Sequence, residues 1–238
     1  MTTSRPPKLA ATVVLLQQED TGLAVLLQRR SPTMAFMPGM LVFPGGAVEP
    51  ADVDAAEAGP SCDDPRELCE SLAPAAWAAL RECGEEADIS IVHPDGTPAP
   101  DKLVPFGRWV TPPFERRRYD TWFFATEAPL GQGGNPDGNE ALTTEWWLAS
   151  DLLLAHQTGE VGLAPPTLWV IMHMAQHPSI ASFLSWCRTC PLDIVEPELV
   201  STEPPTLAVP GHAQHGADWQ LPHWTECVLD EGRWEWRP

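Results

Sequence analysis

Basic residues, cysteines and long apolar runs are all scarce in this sequence. Its 238 residues include 14 lysine and arginine residues against 33 acidic ones, which gives a formal charge of −19. Proteins that bind nucleic acid generally present a basic surface, so we expect no nucleic-acid partner. No stretch approaches the roughly 20 consecutive apolar residues that cross a bilayer, so we expect no membrane partner either.

The six cysteines are too scattered to predict a disulfide framework. Residues 1–8 are polar and include two prolines, and they lack the apolar segment of a secretion signal. A cytoplasmic location is therefore expected. Hydrophobic residues make up 43% of the chain, enough for a sizeable core, and the length favours a single domain over residues 1–238.

Local patterns predict the order of the secondary-structure elements. Apolar runs at 9–16 and 23–28 flank a turn and predict a β-hairpin. Two further strands are predicted at 104–110 and 120–126. Helical patterns follow at 75–87, 151–157, 165–177 and 179–188, with Ser150 and Ser179 as N-caps of the second and fourth.

Two segments depart from this regular pattern. Residues 53–74 are acidic and rich in turn-forming residues, which predicts a surface loop. Residues 165–238 form a C-terminal extension that begins helical and then alternates prolines with tryptophans, with a terminal hairpin around residues 230–232. The tryptophans of this tail are expected to cover an apolar surface or to form the seam of a homodimer.

Glu82, Glu85 and Glu86 form an acidic cluster on one predicted helix. Their i, i+3 and i+4 spacing places all three carboxylates on one helical face. Like charges repel there, at the end of the helix where the dipole is also negative, so we expect a cation to offset them. Carboxylate oxygens suit Mg²⁺ or Mn²⁺. The alternative is an acidic helix face exposed to solvent.

Upstream of the cluster, an apolar strand ends in Phe43-Pro44-Gly45-Gly46, and Asp52 follows after five residues. Together these segments resemble the Nudix box, Gly-x5-Glu-x7-Arg-Glu-U-x-Glu-Glu-x-Gly-U, in which U is a bulky aliphatic residue. The matching positions are Gly46, Arg81, Glu82, Glu85, Glu86 and Ile89. The departures are Asp52 for glutamate, Cys83 for an aliphatic residue, Asp88 for glycine, and 28 residues rather than seven between Asp52 and Arg81.

The departures preserve the acidic cluster. The extra residues fall in the stretch predicted to be a loop, so they can bulge outward without moving the helix. Asp88 can adopt the left-handed backbone conformation that the glycine would supply.

The resemblance implies an α/β fold, a mixed β-sheet sandwiched between α-helices, and a hydrolase acting on acid anhydrides in phosphorus-containing compounds. It also implies that Mg²⁺ or Mn²⁺ is held by Glu82, Glu85 and Glu86, with the backbone carbonyl of Gly46 facing the metal. Such an ion would neutralise a diphosphate and lower the pKa of an attacking water.

Three residues are the catalytic candidates under this resemblance. Arg81 would orient a glutamate through a charge-assisted hydrogen bond, and Glu85 is a metal-site glutamate. Glu140, a loop acid ahead of Trp146-Trp147, is expected to be an additional metal ligand or the general base. An acid exposed to solvent is the alternative for Glu140.

The segment from Leu26 to Gly46 is similar to the coenzyme A diphosphatase signature, Leu-Leu-Thr-x-Arg-Ser/Ala-x3-Arg-x3-Gly-x3-Phe-Pro-Gly-Gly. It matches at Leu26, Leu27, Arg30, Ser31, Gly39 and the Phe-Pro-Gly-Gly run, while Gln28 and Ala35 replace the threonine and the second arginine. The long box insertion adds a resemblance to the peroxisomal-type branch and its bacterial relatives. The alternatives are ADP-ribose, dinucleotide or nucleoside triphosphate hydrolysis, or a non-catalytic ligand sensor, which would be expected to have lost the glutamates.

Four residues are candidates for binding a small nucleoside diphosphate substrate. Arg30 belongs to the signature, and Arg117 and Arg118 belong to the one dense basic cluster, where arginine suits phosphate recognition. Trp109 could stack on a nucleobase, although packing is the alternative for it and solvent exposure for the arginines. The remaining histidine and cysteine pairs, His173 with His177 and Cys187 with Cys190, are expected to have packing roles.

Overall fold

The computed structural model describes residues 6–31, 39–59, 71–132 and 141–237. Within these ranges the chain forms twelve β-strands and five α-helices. The strands are β1 (Lys8–Glu19), β2 (Gly22–Arg30), β3 (Leu41–Val42), β4 (Gly45–Ala47), β5 (Val104–Val110), β6 (Tyr119–Glu127), β7 (Ala141–Leu148), β8 (Ile194–Val195), β9 (Glu198–Thr202), β10 (Pro205–Ala208), β11 (Glu226–Asp230) and β12 (Arg233–Arg237). The helices are α1 (Pro50–Ala58), α2 (Leu72–Ala87), α3 (Ala149–Gln157), α4 (Pro165–Met174) and α5 (Ile180–Cys187).

The predicted hairpin of β1 and β2 lies at the centre of a mixed sheet. The two strands pair antiparallel around a tight turn, with Glu19 opposite Gly22. The sheet runs in the order β3-β2-β1-β6-β5-β8, with β4 beside β1 and β7 beside β2. The β1–β6 and β5–β8 pairs are parallel and the other pairs are antiparallel.

Helices cover both faces of this sheet. Successive residues of a strand point to opposite faces, and Val13 and Val14 of β1 accordingly enter two different apolar clusters. Val13 packs with the alanine-rich face of α2, whereas Val14 belongs to the cluster that contains residues of α3, α4 and α5. The predicted sandwich of a mixed sheet between helices is therefore confirmed.

Helix α2 ends where the sequence predicted a left-handed residue in place of glycine. Asp88 has φ 53° and ψ 38°, and the N–H of Ile89 donates to the carbonyl of Cys83 at 3.1 Å. This closure turns the chain away directly after Glu86 and buries Ile89 completely. The acidic cluster thus lies in the last turns of a helix whose end is well defined.

The predicted loop over residues 53–74 is wrong at both ends. Residues 53–58 belong to α1, which begins at Pro50 and has a capping box in which the Glu49 N–H donates to the Asp52 carboxylate at 2.8 Å. Helix α2 begins at Leu72, three residues earlier than predicted. Proline at the first helical position and a reciprocal cap favour helix nucleation, and this outweighs the turn-rich composition. Residues 60–70 lie outside the described ranges.

The other predicted helices need smaller corrections. Helix α3 begins one residue before Ser150, with Leu148 at the N-cap, and α4 ends at Met174 rather than at His177. Ser179 caps α5 as predicted, because its hydroxyl accepts a hydrogen bond from the Ser182 N–H at 3.2 Å.

The tail after α5 includes a second, four-stranded sheet, in which β11 and β12 form the predicted hairpin around residues 230–232. The two other strands lie where an irregular proline-rich segment was expected. The order of this sheet is β12-β11-β10-β9, and all its pairs are antiparallel. Trp236 is buried and donates from Nε1 to the Pro165 carbonyl at 3.0 Å, while Trp219, Trp224 and Trp234 pack against the same core as α4. The tail tryptophans therefore cover an apolar surface of the chain itself. Among the described residues no helix is both long and apolar enough to cross a membrane.

Candidate functional site

Arg81 joins three elements around the acidic cluster. Its Nε and Nη2 donate to the two carboxylate oxygens of Asp52 at 3.1 and 3.0 Å, and Nη2 also donates to the Ala47 carbonyl at 3.0 Å. Its Nη1 donates to Glu82 and to Glu85, both at 2.9 Å. Every nitrogen of the guanidinium is therefore engaged, and α1, β4 and α2 are fixed to one another at this point.

Asp52 was recognised in the sequence only as a shortened motif residue, but it is a structural partner of the site. Its side chain is 4% exposed and forms the bidentate pair with Arg81. Helices α1 and α2 pack together, so the pair forms although 28 residues separate its members. The signal for this role was the motif position itself, where a carboxylate is required.

Burial and hydrogen bonding shift two ionisable groups in this network. Burial disfavours the charged form of the Arg81 guanidinium, but its hydrogen bonds to Asp52, Glu85 and Glu82 outweigh that effect, and its pKa is raised. Burial raises the pKa of Glu82 above its ordinary value, although the neighbouring Arg81 acts against this shift. Burial and the Arg81 cation therefore act on the pKa of Glu82 in opposite directions.

The glycine turn fits against the acidic cluster so closely that side chains are excluded. A Cβ atom on Gly46 would lie 2.1 Å from Oε1 of Glu82, and one on Gly45 would lie 2.4 Å from the Ala11 carbonyl oxygen. The N–H of Gly45 donates to Oε2 of Glu86 at 3.0 Å. The two glycines thus allow the backbone of β4 to touch two of the three glutamates.

The donor set at this point fits a hard divalent cation. Glu82, Glu85 and Glu86 offer carboxylate oxygens, and the close approach of Gly46 places main-chain atoms against Glu82. In the described ranges no three acidic, histidine or cysteine side chains already surround a common point, because Arg81 and the Gly45 N–H engage these carboxylates instead. Glu140 lies outside the described residues, so the structure does not address its predicted role.

The cluster opens into a cleft of about 1050 Å³. Three of the four predicted substrate-binding residues, Arg30, Arg117 and Trp109, line it together with Glu82, Glu85 and Glu86. Ala35, the departure from the coenzyme A signature, lies outside the described residues. The cleft is large enough for a nucleotide-sized ligand.

Two of the predicted substrate ligands have other partners. Arg118 donates from Nε to the Thr111 carbonyl at 2.9 Å and pairs with Glu196, and it is not among the described residues that line the cleft. Trp109 is 5% exposed and packs between Trp169 and Trp236, with ring centroids 6.0 and 6.1 Å away. Arg118 and Trp109 therefore have structural contacts in this fold, while substrate binding by Arg118 and base stacking by Trp109 stay predictions.

The tail sheet contributes a wall of the cleft that the sequence did not predict. Residues of β9, β10 and β12 line it, namely Leu199, Thr202, Pro205, Leu207 and Trp234. These residues lie more than 110 positions after Arg81 in the chain. No local pattern marks them, because their place depends on how the second sheet packs on the first.

The histidine and cysteine pairs have packing roles, as predicted. His173 is 1% exposed and stacks on Trp186 with ring centroids 4.2 Å apart. Burial, with smaller effects of His223 and His177, lowers the pKa of His173 to about 3. Cys187 and Cys190 are buried thiols, and Cys190 contacts the Trp186 carbonyl at 3.5 Å.

No known family model matches the chain. Among solved structures, a Nudix hydrolase from Alicyclobacillus acidocaldarius is similar, with a TM-score of 0.65 and 27% identity over 79% of this chain and 98% of that one. The Nudix domain of Shewanella oneidensis NrtR, complexed with ADP ribose, gives a TM-score of 0.47 and 18% identity over 71% and 86%. A MutT Nudix hydrolase from Burkholderia pseudomallei gives 0.47 and 15% over 71% and 98%.

Proposed function

We propose that this chain, whose fold and structural neighbours support the Nudix hydrolase superfamily, is a metal-dependent enzyme that cleaves the diphosphate linkage of a nucleoside diphosphate derivative. The similar Nudix hydrolase structure supports hydrolysis of an acid anhydride in a phosphorus-containing compound. To this we add a divalent metal, roles for individual residues and a class of substrate. Its main support is the Arg81 network, which gathers Asp52, Glu82 and Glu85 at the mouth of a nucleotide-sized cleft.

The glutamates of the cluster have two proposed roles, metal binding and proton acceptance. Glu82, Glu85 and Glu86, with the Gly46 carbonyl, would hold Mg²⁺ or Mn²⁺, which would neutralise charge on the diphosphate and lower the pKa of the attacking water. Glu85 has a side chain that is 61% exposed and lines the cleft, so among the described glutamates it is the one best placed to accept a proton from water. Arg81 positions Glu82 and Glu85 by hydrogen bonds rather than by contact with substrate.

Coenzyme A or an acyl-coenzyme A is the first candidate substrate. Arg30 matches the signature of that branch and lines the same cleft as the glutamates, and Arg117 lines it as well. Ala35 leaves the signature one cation short, and a charge-assisted hydrogen bond to phosphate contributes about 1.5–3 kcal/mol, or roughly 10–150-fold in binding. We therefore expect coenzyme A to be turned over with a raised KM rather than a lowered kcat.

A substrate panel with each metal tests this proposal. The purified chain is assayed with coenzyme A, acyl-coenzyme A, ADP-ribose, NADH and nucleoside triphosphates in Mg²⁺ or Mn²⁺, with a chelator as the metal-free arm. We expect hydrolysis at the diphosphate in both metals and loss of turnover with chelator. Turnover of ADP-ribose with no turnover of coenzyme A would assign the enzyme to the alternative substrate.

Charge-neutral variants test the residue assignment. Glu85→Gln and Glu86→Gln are each expected to lower kcat by at least about 100-fold, the scale of a lost general base or metal ligand. Removing one of three adjacent like charges should leave the free energy of unfolding unchanged or raised. Glu127→Gln, at an exposed glutamate at the end of β6, is the matched control and should keep full activity. Near-normal turnover in both site variants would contradict the metal-site assignment.

A further inference from the structure

The cleft has a second half whose chemistry differs from that of the acidic cluster. Beyond Glu82 and Glu85, its lining comes from the β5–β6 region, from residues 164–167 and from the tail sheet. The tail contributes proline, leucine, threonine and tryptophan side chains to this lining and none that is charged, within the part of the chain that the structure describes. The chain has 33 acidic residues, yet no acidic residue of the tail is among these lining residues.

The acidic residues of the same tail segment are engaged elsewhere. Glu196 pairs with Arg118, and Glu198 accepts a hydrogen bond from the Gly216 N–H at 3.4 Å and lies 3.8 Å from His215. Leu199, which follows Glu198 on β9, lines the cleft. Side chains alternate along a strand, so β9 presents its apolar residue to the cleft while Glu198 contacts the segment around residue 215.

Two large apolar side chains remain exposed at this half of the cleft. Phe114, in the turn between β5 and β6, is 52% exposed, and Leu199 is 43% exposed. The same turn also contributes the charged Glu115 and Arg117 to the lining, so the uncharged part of the wall is the tail sheet. Exposed apolar groups that gather in a concave site favour an apolar ligand. The wall behind Leu199 is firmly held, because Leu207 pairs opposite it on β10 and is buried.

We infer that the tail sheet forms an apolar subsite for an uncharged, mainly aliphatic group attached to the diphosphate that the acidic cluster acts upon. The inference rests on the proposed function, since the same cleft holds both ends of the ligand. A nucleobase is less suited to this wall, because its polar edge needs hydrogen-bond partners and the polar side chains of the tail lining are limited to Thr202 among the described residues. The subsite therefore selects substrates by the length of an aliphatic substituent.

Binding of a chain-length series tests the subsite separately from catalysis. The probes are non-hydrolysable methylene-bridged analogues of ADP that carry a methyl, butyl or octyl ester on the terminal phosphate, titrated by calorimetry in Mg²⁺ below the concentration at which the octyl analogue aggregates. A fully buried methylene contributes about 0.8 kcal/mol, or roughly fourfold in affinity. We expect the octyl analogue to bind at least about tenfold more tightly than the methyl analogue.

Variants of one wall residue locate the effect. Leu199→Asn places a neutral polar group in the wall and should reduce the ratio of octyl to methyl affinity to about threefold or less, without adding a charge that repels the diphosphate. Leu154→Asn is the matched control, because Leu154 is an exposed leucine of α3 outside the lining of the cleft, and it should preserve the wild-type ratio. Equal binding of the three analogues by the wild-type chain, or an unchanged ratio in Leu199→Asn, would overturn the subsite.

Hydrolysis of the corresponding methyl ester of ADP keeps the two proposals distinguishable. If the methyl ester is hydrolysed but affinity does not depend on chain length, the proposed function stands and the subsite is wrong. If affinity rises with chain length but no ester is hydrolysed, the subsite stands and the catalytic proposal fails for this class of substrate.

Discussion

Arg81 has more structural consequence than any other single residue of the site. It holds Asp52, which is almost fully buried, and it also holds two of the three glutamates. Arginine can donate to a carboxylate through two parallel hydrogen bonds, whereas lysine is a single point donor. The identity of this residue therefore matters beyond its charge.

Replacing Arg81 tests this network. Arg81→Gln leaves the Asp52 carboxylate buried without its cation, so the free energy of unfolding should fall by about 3–5 kcal/mol. Arg81→Lys keeps a charge and should lose roughly half as much. Urea denaturation measures both. Arg237→Gln is the control, since among the described residues the ion pairs of Arg237 are exposed, at 3.5 and 3.9 Å, and such pairs contribute about 0–1 kcal/mol. Equal free energies of unfolding in all three variants would show that the Arg81 network does not stabilise the fold.

Gly46 of the box and Gly84, at a variable position of α2, give a matched pair of substitutions. A Cβ on Gly46 would collide with the Glu82 carboxylate, whereas one on Gly84 would meet nothing within 4 Å. Gly46→Ala should displace Glu82 and lower kcat and metal affinity together. Gly84→Ala, on the exposed side of α2, should raise the free energy of unfolding by about 0.5–1 kcal/mol and keep activity. Turnover assays measure kcat and thermal unfolding measures stability. Equal kcat and equal stability in the two variants would contradict the close approach of Gly46 to the Glu82 carboxylate.

At the scale of elements, the end of α2 shows how a motif departure is accommodated. Asp88 occupies the left-handed conformation with φ 53°, which glycine adopts at lower cost. Its negative charge also lies at the negative end of the helix dipole. The fold therefore tolerates this departure at some cost in stability.

Restoring the glycine should recover that stability. Asp88→Gly is expected to raise the free energy of unfolding by about 0.5–1 kcal/mol without changing kcat, because the cap geometry is preserved. Asp88→Ala, which removes the charge but keeps a Cβ, separates the two contributions and should recover less. Chemical denaturation is the measurement, and a loss of stability in Asp88→Gly would show that the aspartate side chain supports the turn.

Helix α1 and the tail sheet show which elements could be predicted from the sequence. The β1–β2 hairpin, β5 and β6 were predictable because their apolar runs are local signals bounded by turns. Helix α1 was missed because its acidic composition is typical of loops, while its cap depends on the specific pair Glu49 and Asp52. In the tail sheet the β11–β12 hairpin was predicted from its turn residues. Strands β9 and β10 were missed because prolines in that segment suggest irregular structure, although β10 accepts Pro205 at its first position.

The same distinction between local and long-range signals applies to the site. The cluster of three glutamates was predictable because helical spacing places them on one face, whereas the role of Arg81 was predicted from the resemblance to the Nudix box. The partner of Arg118 is Glu196, 78 residues away, and Trp109 lies between aromatic rings of α4 and β12. Such contacts follow from the packing of distant elements, so no spacing in the sequence indicates them.

At the scale of the whole molecule, a cluster of aromatic rings joins the tail to the sandwich. His173 of α4 stacks on Trp186 of α5 and meets Trp224 of the tail edge-on, with ring centroids 4.9 Å apart. The Nε2 atom of His173 is buried with no hydrogen-bond partner among the described residues. Burial in this cluster, next to His223 and His177, lowers the pKa of His173 to about 3, so the packed chain requires the neutral ring.

The pH dependence of stability should carry the signature of this histidine. Its pKa is about 6.5 in the unfolded chain and about 3 in the folded one, so below pH 6.5 the unfolded chain binds the extra proton. The contribution of neutral His173 is therefore complete above about pH 6.5 and declines by about 1.4 kcal/mol per pH unit as the pH falls toward 3. His173→Phe keeps an aromatic ring that cannot be protonated, and between pH 7 and pH 5 its free energy of unfolding should gain about 2 kcal/mol relative to wild type. Urea denaturation of both proteins across this range isolates the effect, since His177, His223 and the carboxylates are common to both. A difference that stays constant from pH 7 to pH 5 would show that His173 does not couple protonation to the packing of the tail.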